Sequence, residues 1–254
     1  MSNGVMLQIV RAEDERRWGP NLLALLADRN TEVRRRAALA AGRIGDERAL
    51  PALVSLLQQD SDEGVRARAA FALGELESAA GADALTAALS FAKREPAEIR
   101  ARAVEALGKI VAALPKSEEA RARPLRQAIV GVLEFEAGRR SLADREVVLL
   151  SLTAALRARP ENAGKVIARF LGYSDPRVRA DAANTLARLR LKDGNEELRK
   201  LLISDPDAIV RANAARVLGA TEDKAAFNVL LDRLTKDTDL RVRVSAIRSL
   251  GNLK

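Results

Sequence analysis

Six arginines recur at one place in a repeated phrase. Arg34, Arg66, Arg100, Arg179, Arg211 and Arg243 each follow a Val or Ile, and acidic residues precede several of them, at Asp28, Asp60, Asp205 and Asp237. Such a row can hold the phosphates or carboxylates of a partner through paired N–H donors. It can instead fork onto the chain's own aspartates and tie successive turns together. The second reading is favoured, because an arginine at the start of a packed helix needs a carboxylate fork close by.

The remaining inventory narrows the chemistry sharply. The 254 residues include no cysteine and no histidine. Disulfides, thiolate and imidazole metal ligands, cysteine nucleophiles and Ser-His-Asp arrangements are thereby excluded. The adjacent Glu118 and Glu119 lie in a charged stretch that reads as solvated, whereas acid–base catalysis needs a shielded pair. The sequence predicts no catalytic residue, no cofactor and no metal, hence a non-enzymatic protein.

The elements that position the arginines follow from the repeated phrase. "VRRRAALAAG" at 33–42 returns as "VRARAAFALG" at 65–74, "IRARAVEALG" at 99–108, "VRADAANTLA" at 178–187, "VRANAARVLG" at 210–219 and "VRVSAIRSLG" at 242–251. The step is 32 to 34 residues, with one long gap between 99 and 178. A degenerate copy fills the gap: "VVLLSLTAAL" at 147–156 keeps Val148, Leu152 and Leu156 without the arginine, after an insertion "LPKSEEARARP" at 114–124. That makes seven repeats.

Each repeat reads as two helices. An aliphatic segment such as "LPALVSLLQQ" at 50–59 comes first, then a turn rich in Asp, Ser and Pro, then the phrase itself. Asp and Ser in the turn can accept from the free N–H groups of the second helix, and Pro176 and Pro206 fit its first turn. Glycines at 42, 74, 108, 219 and 251 suit close packing or helix termination. Apolar positions 0, +4, +7 or +8 and +11 from the Val form one stripe, and Ala at +4 admits a close neighbour. Each stripe is buried against adjacent repeats, so the core is linear. The expectation is an all-α, right-handed α-solenoid of about seven helix pairs, one array over 1–254 with 1–20 as an N-terminal cap containing Trp18.

Asp, then Val-Arg five residues later, then Ala, then Leu-Gly, flanked by "GDERALPALVSLL" at 45–57, resembles HEAT repeats of the short type found in phycobilisome-lyase-like proteins. The spacing is shorter than the roughly 40–47 residues of larger HEAT and armadillo units. Repeat four departs by lacking its arginine. The resemblance also implies a bilin-lyase-like role, but a chain with no histidine and one tryptophan offers little for a chromophore pocket. A narrower similarity, from "LQIVRAEDERRW" through "VRRRAALAAGRIGDERALPALVSLL", is to the N-terminal HEAT array of bacterial chains that end in a cyclophilin-type peptidyl-prolyl isomerase domain. No segment reads as a cyclophilin β-barrel.

In HEAT-like arrays the second helices line the concave surface, and positions +3, +6 and +10 project from the stripe. They give Arg36, Leu39 and Arg43; Arg68, Phe71 and Glu75; Arg102, Glu105 and Lys109; Asp181, Asn184 and Arg188; Asn213, Arg216 and Ala220; Ser245, Arg248 and Asn252. The candidate binding residues are Arg36, Leu39, Arg68, Phe71, Arg102, Asn184, Arg188, Arg216 and Arg248. Leu39 and Phe71 either anchor a partner or pack on the adjacent helix. The leading function is a protein-interaction scaffold for a protein or peptide, with an acidic partner favoured by the net charge of +8. Nucleic-acid binding is the alternative, disfavoured by scattered acids and few aromatics; a non-catalytic region of a peptidyl-prolyl isomerase is another.

The N-terminal "VMLQIV" is too short for a membrane span or secretory core. The reading is a soluble protein, cytoplasmic if that N-terminus is native. Val242, Ala246, Leu250, Leu253 and Ile247 leave an apolar edge at the last repeat, which points to a longer parent chain or to self-association there.

Overall fold

Helix initiation follows from the acidic turns. In the computed structural model, which describes residues 1–90, 95–139 and 142–253, Asn30, Asp62, Asp144, Asp175, Asp207 and Asp239 accept through their side chains from main-chain N–H groups at a helix start. Each lies three residues before an anchoring Val and satisfies donors that every helix leaves open.

Fifteen α-helices and no strand result among the described residues. One helix, α1 (Asn3–Asp14), precedes seven pairs. The pairs are α2 (Pro20–Leu26) with α3 (Thr31–Ile44), α4 (Leu50–Gln59) with α5 (Glu63–Glu75), α6 (Ala82–Ala88) with α7 (Ala97–Ala113), and α8 (Glu119–Arg139) with α9 (Arg145–Ala158). Then come α10 (Gly164–Arg169) with α11 (Pro176–Leu189), α12 (Asn195–Ser204) with α13 (Ala208–Ala220), and α14 (Phe227–Lys236) with α15 (Leu240–Asn252). Short 3-10 turns lead into several first helices, as at Glu47–Ala49 and Lys224–Ala226.

The chain forms two units, Met1–Val132 and Leu133–Lys254. In the first, the second helices α3, α5 and α7 pack side by side, with α1 against α3 and α2, α4 and α6 alongside. In the other, α9, α11, α13 and α15 form the corresponding row, flanked by α12 and α14. No helix among the described residues is long and apolar enough to cross a membrane.

The predicted stripe is the core. Anchors Val65, Ile99, Val147, Val178, Val210 and Val242 are fully buried, and so is every +4 alanine from Ala37 to Ala246. In repeat four Val147 keeps the anchor, buried Val148 replaces the arginine, and Ser151 takes the alanine slot. Alanine at these sites lets helix backbones approach, and the glycines complete the approach. A Cβ on Gly42 would lie 2.7 Å from the Ala72 Cα, one on Gly74 2.8 Å from the Ala106 Cα, and one on Gly219 2.6 Å from the Ser249 Cα. Of the two roles open to these glycines, close packing is the one realised.

Termination falls to a different residue, twelve after the anchor. Gly45 takes a left-handed conformation there, while Glu77, Arg159, Arg190 and Glu222 adopt it at φ of 51° to 55°. One further detail departs from the sequence reading. Trp18 lies beyond the end of α1, half-buried in the connection to α2, so it is not part of the cap helix. The insertion at 114–124 forms a 3-10 turn at Lys116–Glu118 and then the opening of the 21-residue α8.

Two glycine substitutions of opposite sense test this division of labour. Gly74→Ala should destabilise the protein by roughly 1–3 kcal/mol through overpacking, although helix propensity alone favours Ala by about 1 kcal/mol. Glu77→Gly should stabilise it by roughly 0.5–1 kcal/mol, because the left-handed strain removed exceeds the entropy glycine adds to the unfolded chain. Urea midpoints decide both, and a stabilising Gly74→Ala would show that the helices can part without cost.

Candidate functional site

The arginine row is consumed by the architecture. Arg34 forks onto Asp60 (Nε–Oδ2 2.7 Å, Nη2–Oδ1 2.8 Å), Arg179 onto Asp205 (2.7 and 2.9 Å), and Arg211 onto Asp237 (2.8 and 2.9 Å). Every fork runs from a second helix to the turn of the next repeat, 26 residues on. The remaining Nη1 donates backwards to main-chain carbonyls of the arginine's own turn, at Asp28, Tyr173 and Asp205 respectively. The receiving side chains are only 6, 2 and 2 % exposed. They cannot be offered to a partner.

Two repeats vary this pattern for reasons visible in the sequence. In the sequence repeat three has an arginine, Arg94, where repeats two, six and seven have the acceptor aspartate six residues before the ladder arginine, and Arg66 donates to Glu95 at 3.3 Å, with its buried Nε left without a partner. Repeat four has Val148 in place of the arginine, and repeat five has Tyr173 in place of the aspartate; the Tyr173 hydroxyl donates to the Ala143 carbonyl at 2.9 Å. Arg243 keeps the anchor, donating to the carbonyls of Asp237 and Thr238 at 2.8 and 3.2 Å, but no carboxylate among the described residues takes its fork. Near it Leu240 and Ile247 are exposed.

Electrostatics agree with the geometry. Burial pushes the Asp60 and Asp237 carboxyls up, but the forks from Arg34 and Arg211 and the N–H groups of Asp62 and Asp239 outweigh it, so both lie below the ordinary aspartate value. The exposed cap Asp239 is held down to about 2 by hydrogen bonds from Arg241.

The outward faces of the second helices hold the candidate binding residues, and the two units differ. In Met1–Val132, Arg36 and Arg43 both pair with Glu13 of α1, a residue the sequence reading left out. Leu39 is half-buried beside them. Arg102 pairs with Glu105 at 3.1 Å, and Lys109 bridges Glu75 and Glu105. Phe71, also half-buried, has the Lys109 ammonium 4.6 Å and the exposed Arg68 guanidinium 5.9 Å from its ring centre. Cations near both distances interact with an aromatic ring. The structure thus brings Arg68, Phe71 and Lys109 together.

In Leu133–Lys254 the corresponding faces of adjacent α11, α13 and α15 carry Asn184, Arg188, Arg216 and Arg248. The three arginines are exposed and make no ion pair among the described residues. Buried Asn213, which donates to the Ala180 carbonyl at 2.8 Å, accepts from Arg216 and orients it. Sequence reasoning missed Arg157 of α9, exposed and equally without an ion pair, which stands ten residues after Val147 as Arg188 does after Val178. Phasing the degenerate repeat on Val147 would have found it.

No group of three or more acidic, His or Cys residues suited to a metal occurs among the described residues. A pocket of about 510 Å³ lies between α1 and α2, lined by Leu7, Arg11, Leu22 and Leu25 among others. Its charged groups are engaged with one another, Glu15 with Arg11 and Arg17.

Comparisons with known proteins agree on the fold. A family model described as HEAT repeats matches residues 19–108, 53–131 and 164–251. No curated protein matches. Among solved structures, an engineered protein from a structural genomics consortium is 24 % identical with a TM-score of 0.60, over 91 % of this chain and 67 % of that one. The complex of CpcE and CpcF of phycocyanin lyase from Nostoc sp. PCC7120 is 19 % identical (TM-score 0.56; 92 % and 93 % covered). The archaeal HEAT-like repeats protein from Thermococcus onnurineus NA1 is 18 % identical (TM-score 0.56; 91 % and 95 % covered).

Removing one half of a fork should cost far more than removing both. Asp60→Ala leaves the Arg34 guanidinium in a largely closed slot and should destabilise by about 3 kcal/mol, while Arg34→Met with Asp60→Leu should recover most of that. Because the folded Asp60 is depressed, its contribution is present above the ordinary aspartate value of 3.8 and is lost as pH falls below it. The stability gap between the parent and Asp60→Asn should therefore shrink on acidification. Unfolding curves at pH 7 and pH 3 check the sign, and a gap that widens in acid contradicts it.

Proposed function

The chain belongs to the HEAT-repeat family, and from that premise we propose that it is a non-enzymatic scaffold that binds a protein or peptide segment along the outward faces of its second helices. One observation carries the reading. The ladder arginines are closed off by aspartates, so the groups left for a partner are those on these faces, and in Met1–Val132 they centre on Phe71 between Arg68 and Lys109. A half-buried ring flanked by cations supplies apolar area together with steering charge, the two components of a compact hot spot.

Enzymatic alternatives find less support. The chain has no His or Cys, and the acidic groups near Phe71, Glu75 and Glu105, are paired with Lys109. The Nostoc neighbour, a complex of two proteins of phycocyanin lyase, fits protein partnership as readily as catalysis, and at 19 % identity it speaks for the fold. Nucleic acid is disfavoured by the same pairing, since Arg36, Arg43, Arg102 and Lys109 already hold carboxylates.

Peptides selected by display against the full chain provide the test. Phe71→Ala should weaken selected peptides by about tenfold or more, mostly through faster dissociation. Reversing Arg68 to Glu should mainly slow association and flatten its salt dependence. Selected peptides that bind both variants as they bind the parent would remove this surface from consideration.

A further inference from the structure

The second helices of Leu133–Lys254 carry a row of four exposed arginines, one per helix. Arg157 and Arg188 stand ten residues after their anchors on α9 and α11, and Arg216 and Arg248 stand six after theirs on α13 and α15. These helices pack in that order, each against the next. None of the four pairs with a carboxylate among the described residues. The one acid at the projecting positions of these helices, Asp181, is already held by Arg177 at 2.9 Å. The imbalance is local: residues 133–254 hold 23 Lys and Arg against 17 Asp and Glu, whereas residues 1–132 hold 20 against 18.

Helix-end electrostatics account for part of the row. Arg157 and Arg188 lie in the last turns of α9 and α11, where a cation meets the negative end of the helix dipole. Arg216 and Arg248 lie earlier in α13 and α15, outside the final turn, so that explanation does not cover them. Arg216 is moreover pre-oriented by buried Asn213.

Spacing selects the ligand. Neighbouring helices pack about 8–10 Å apart, and one helical turn, separating the two phases of the row, adds an axial shift of about 6 Å. Guanidiniums in the same phase are therefore about 8–10 Å apart and the α11-to-α13 step is about 10–12 Å, while a chain in the extended polyproline II conformation advances about 3.1 Å per residue with three residues per turn. Every third residue of such a segment returns to the same face, about 9 Å on, and meets the next arginine. We propose that this row binds an extended acidic polypeptide with carboxylates at i, i+3, i+6 and i+9, each taken by one guanidinium. The inference rests on the reading of second-helix faces as the partner surface and names the partner's chemistry in this unit. A single-stranded nucleic acid fits less well, because α9, α11, α13 and α15 contain no aromatic residue on which bases could stack.

The test uses the full chain and three fluorescent probes: a 12-residue peptide with Glu at positions 1, 4, 7 and 10 in a Gly/Ser background, a peptide of identical composition with its four Glu contiguous, and a 12-nucleotide single-stranded DNA. Anisotropy should show the spaced peptide binding more tightly than the contiguous one. Each of Arg157→Gln, Arg188→Gln, Arg216→Gln and Arg248→Gln should weaken it by about threefold, and the quadruple variant by thirtyfold or more. These side chains are exposed, and an unchanged thermal melt confirms that each variant is folded. Phe71→Ala should leave the spaced peptide unaffected. Equal binding of the two peptides, indifference to the quadruple variant, or DNA binding tighter than either peptide and dependent on the same arginines would each overturn the proposal. If the row fails while display-selected peptides still depend on Phe71, the scaffold reading stands and only this partner is lost. If the spaced peptide binds through the row while Phe71 proves irrelevant, the reverse holds.

Discussion

The bidentate contact between a second-helix arginine and the aspartate of the following turn organises this protein. It places a guanidinium where neither water nor its own repeat can satisfy it fully, and places a carboxylate where only the preceding repeat can neutralise it. Arg34 with Asp60, Arg179 with Asp205 and Arg211 with Asp237 are three instances of one geometry. The same aspartates receive a main-chain N–H from two residues on, at Asp62, Asp207 and Asp239, and those residues cap the next helix. Stacking and helix initiation are thereby joined in one turn of five residues.

That contact fixes the relative height of neighbouring second helices, and the small residues then set their distance. Gly42 against Ala72, Gly74 against Ala106 and Gly219 against Ser249 bring backbones closer than any side chain would allow. A core made this way combines alanines at the close approaches with buried leucines such as Leu53, Leu73 and Leu107, and gains stability by repetition, each repeat burying its stripe on its neighbours. With aspartates committed to the ladder and alanines to the interface, only positions +3, +6 and +10 remain variable on the outer face. There the two units diverge. Glu13, Glu75 and Glu105 take Arg36, Arg43, Arg102 and Lys109 in Met1–Val132, whereas Arg157, Arg188, Arg216 and Arg248 pair with no acid among the described residues.

The family relationship explains the frame without dictating this divergence. HEAT repeats and the structures with sequence identity below 25 % share the helical-repeat fold with this chain. A repeat fold is a periodic support whose function is written in the residues that break the period. Phe71 is one such residue, an aromatic at a position where the other second helices carry Leu39, Glu105, Thr153, Asn184, Arg216 and Arg248.

By itself the sequence determined the helix pairs, their number, the buried stripe and the arginine ladder. Those features depend on contacts between positions at fixed spacing, so a residue's place in the period is enough to assign its neighbours. Even the absent rung was legible, since Val148 and Tyr173 replace both halves of one fork. Only the tertiary structure decided what lay outside the period: that Glu13 of α1 takes Arg36 and Arg43, that Lys109 covers the Phe71 ring, that the glycines serve packing while Glu77 and Arg190 bear the terminating turn, and that Arg157 joins Arg188. Each of these depends on where a long or unrestrained side chain, or a non-repeating element, comes to rest. No spacing rule encodes that, because it is set by which partner lies within reach once the helices have packed.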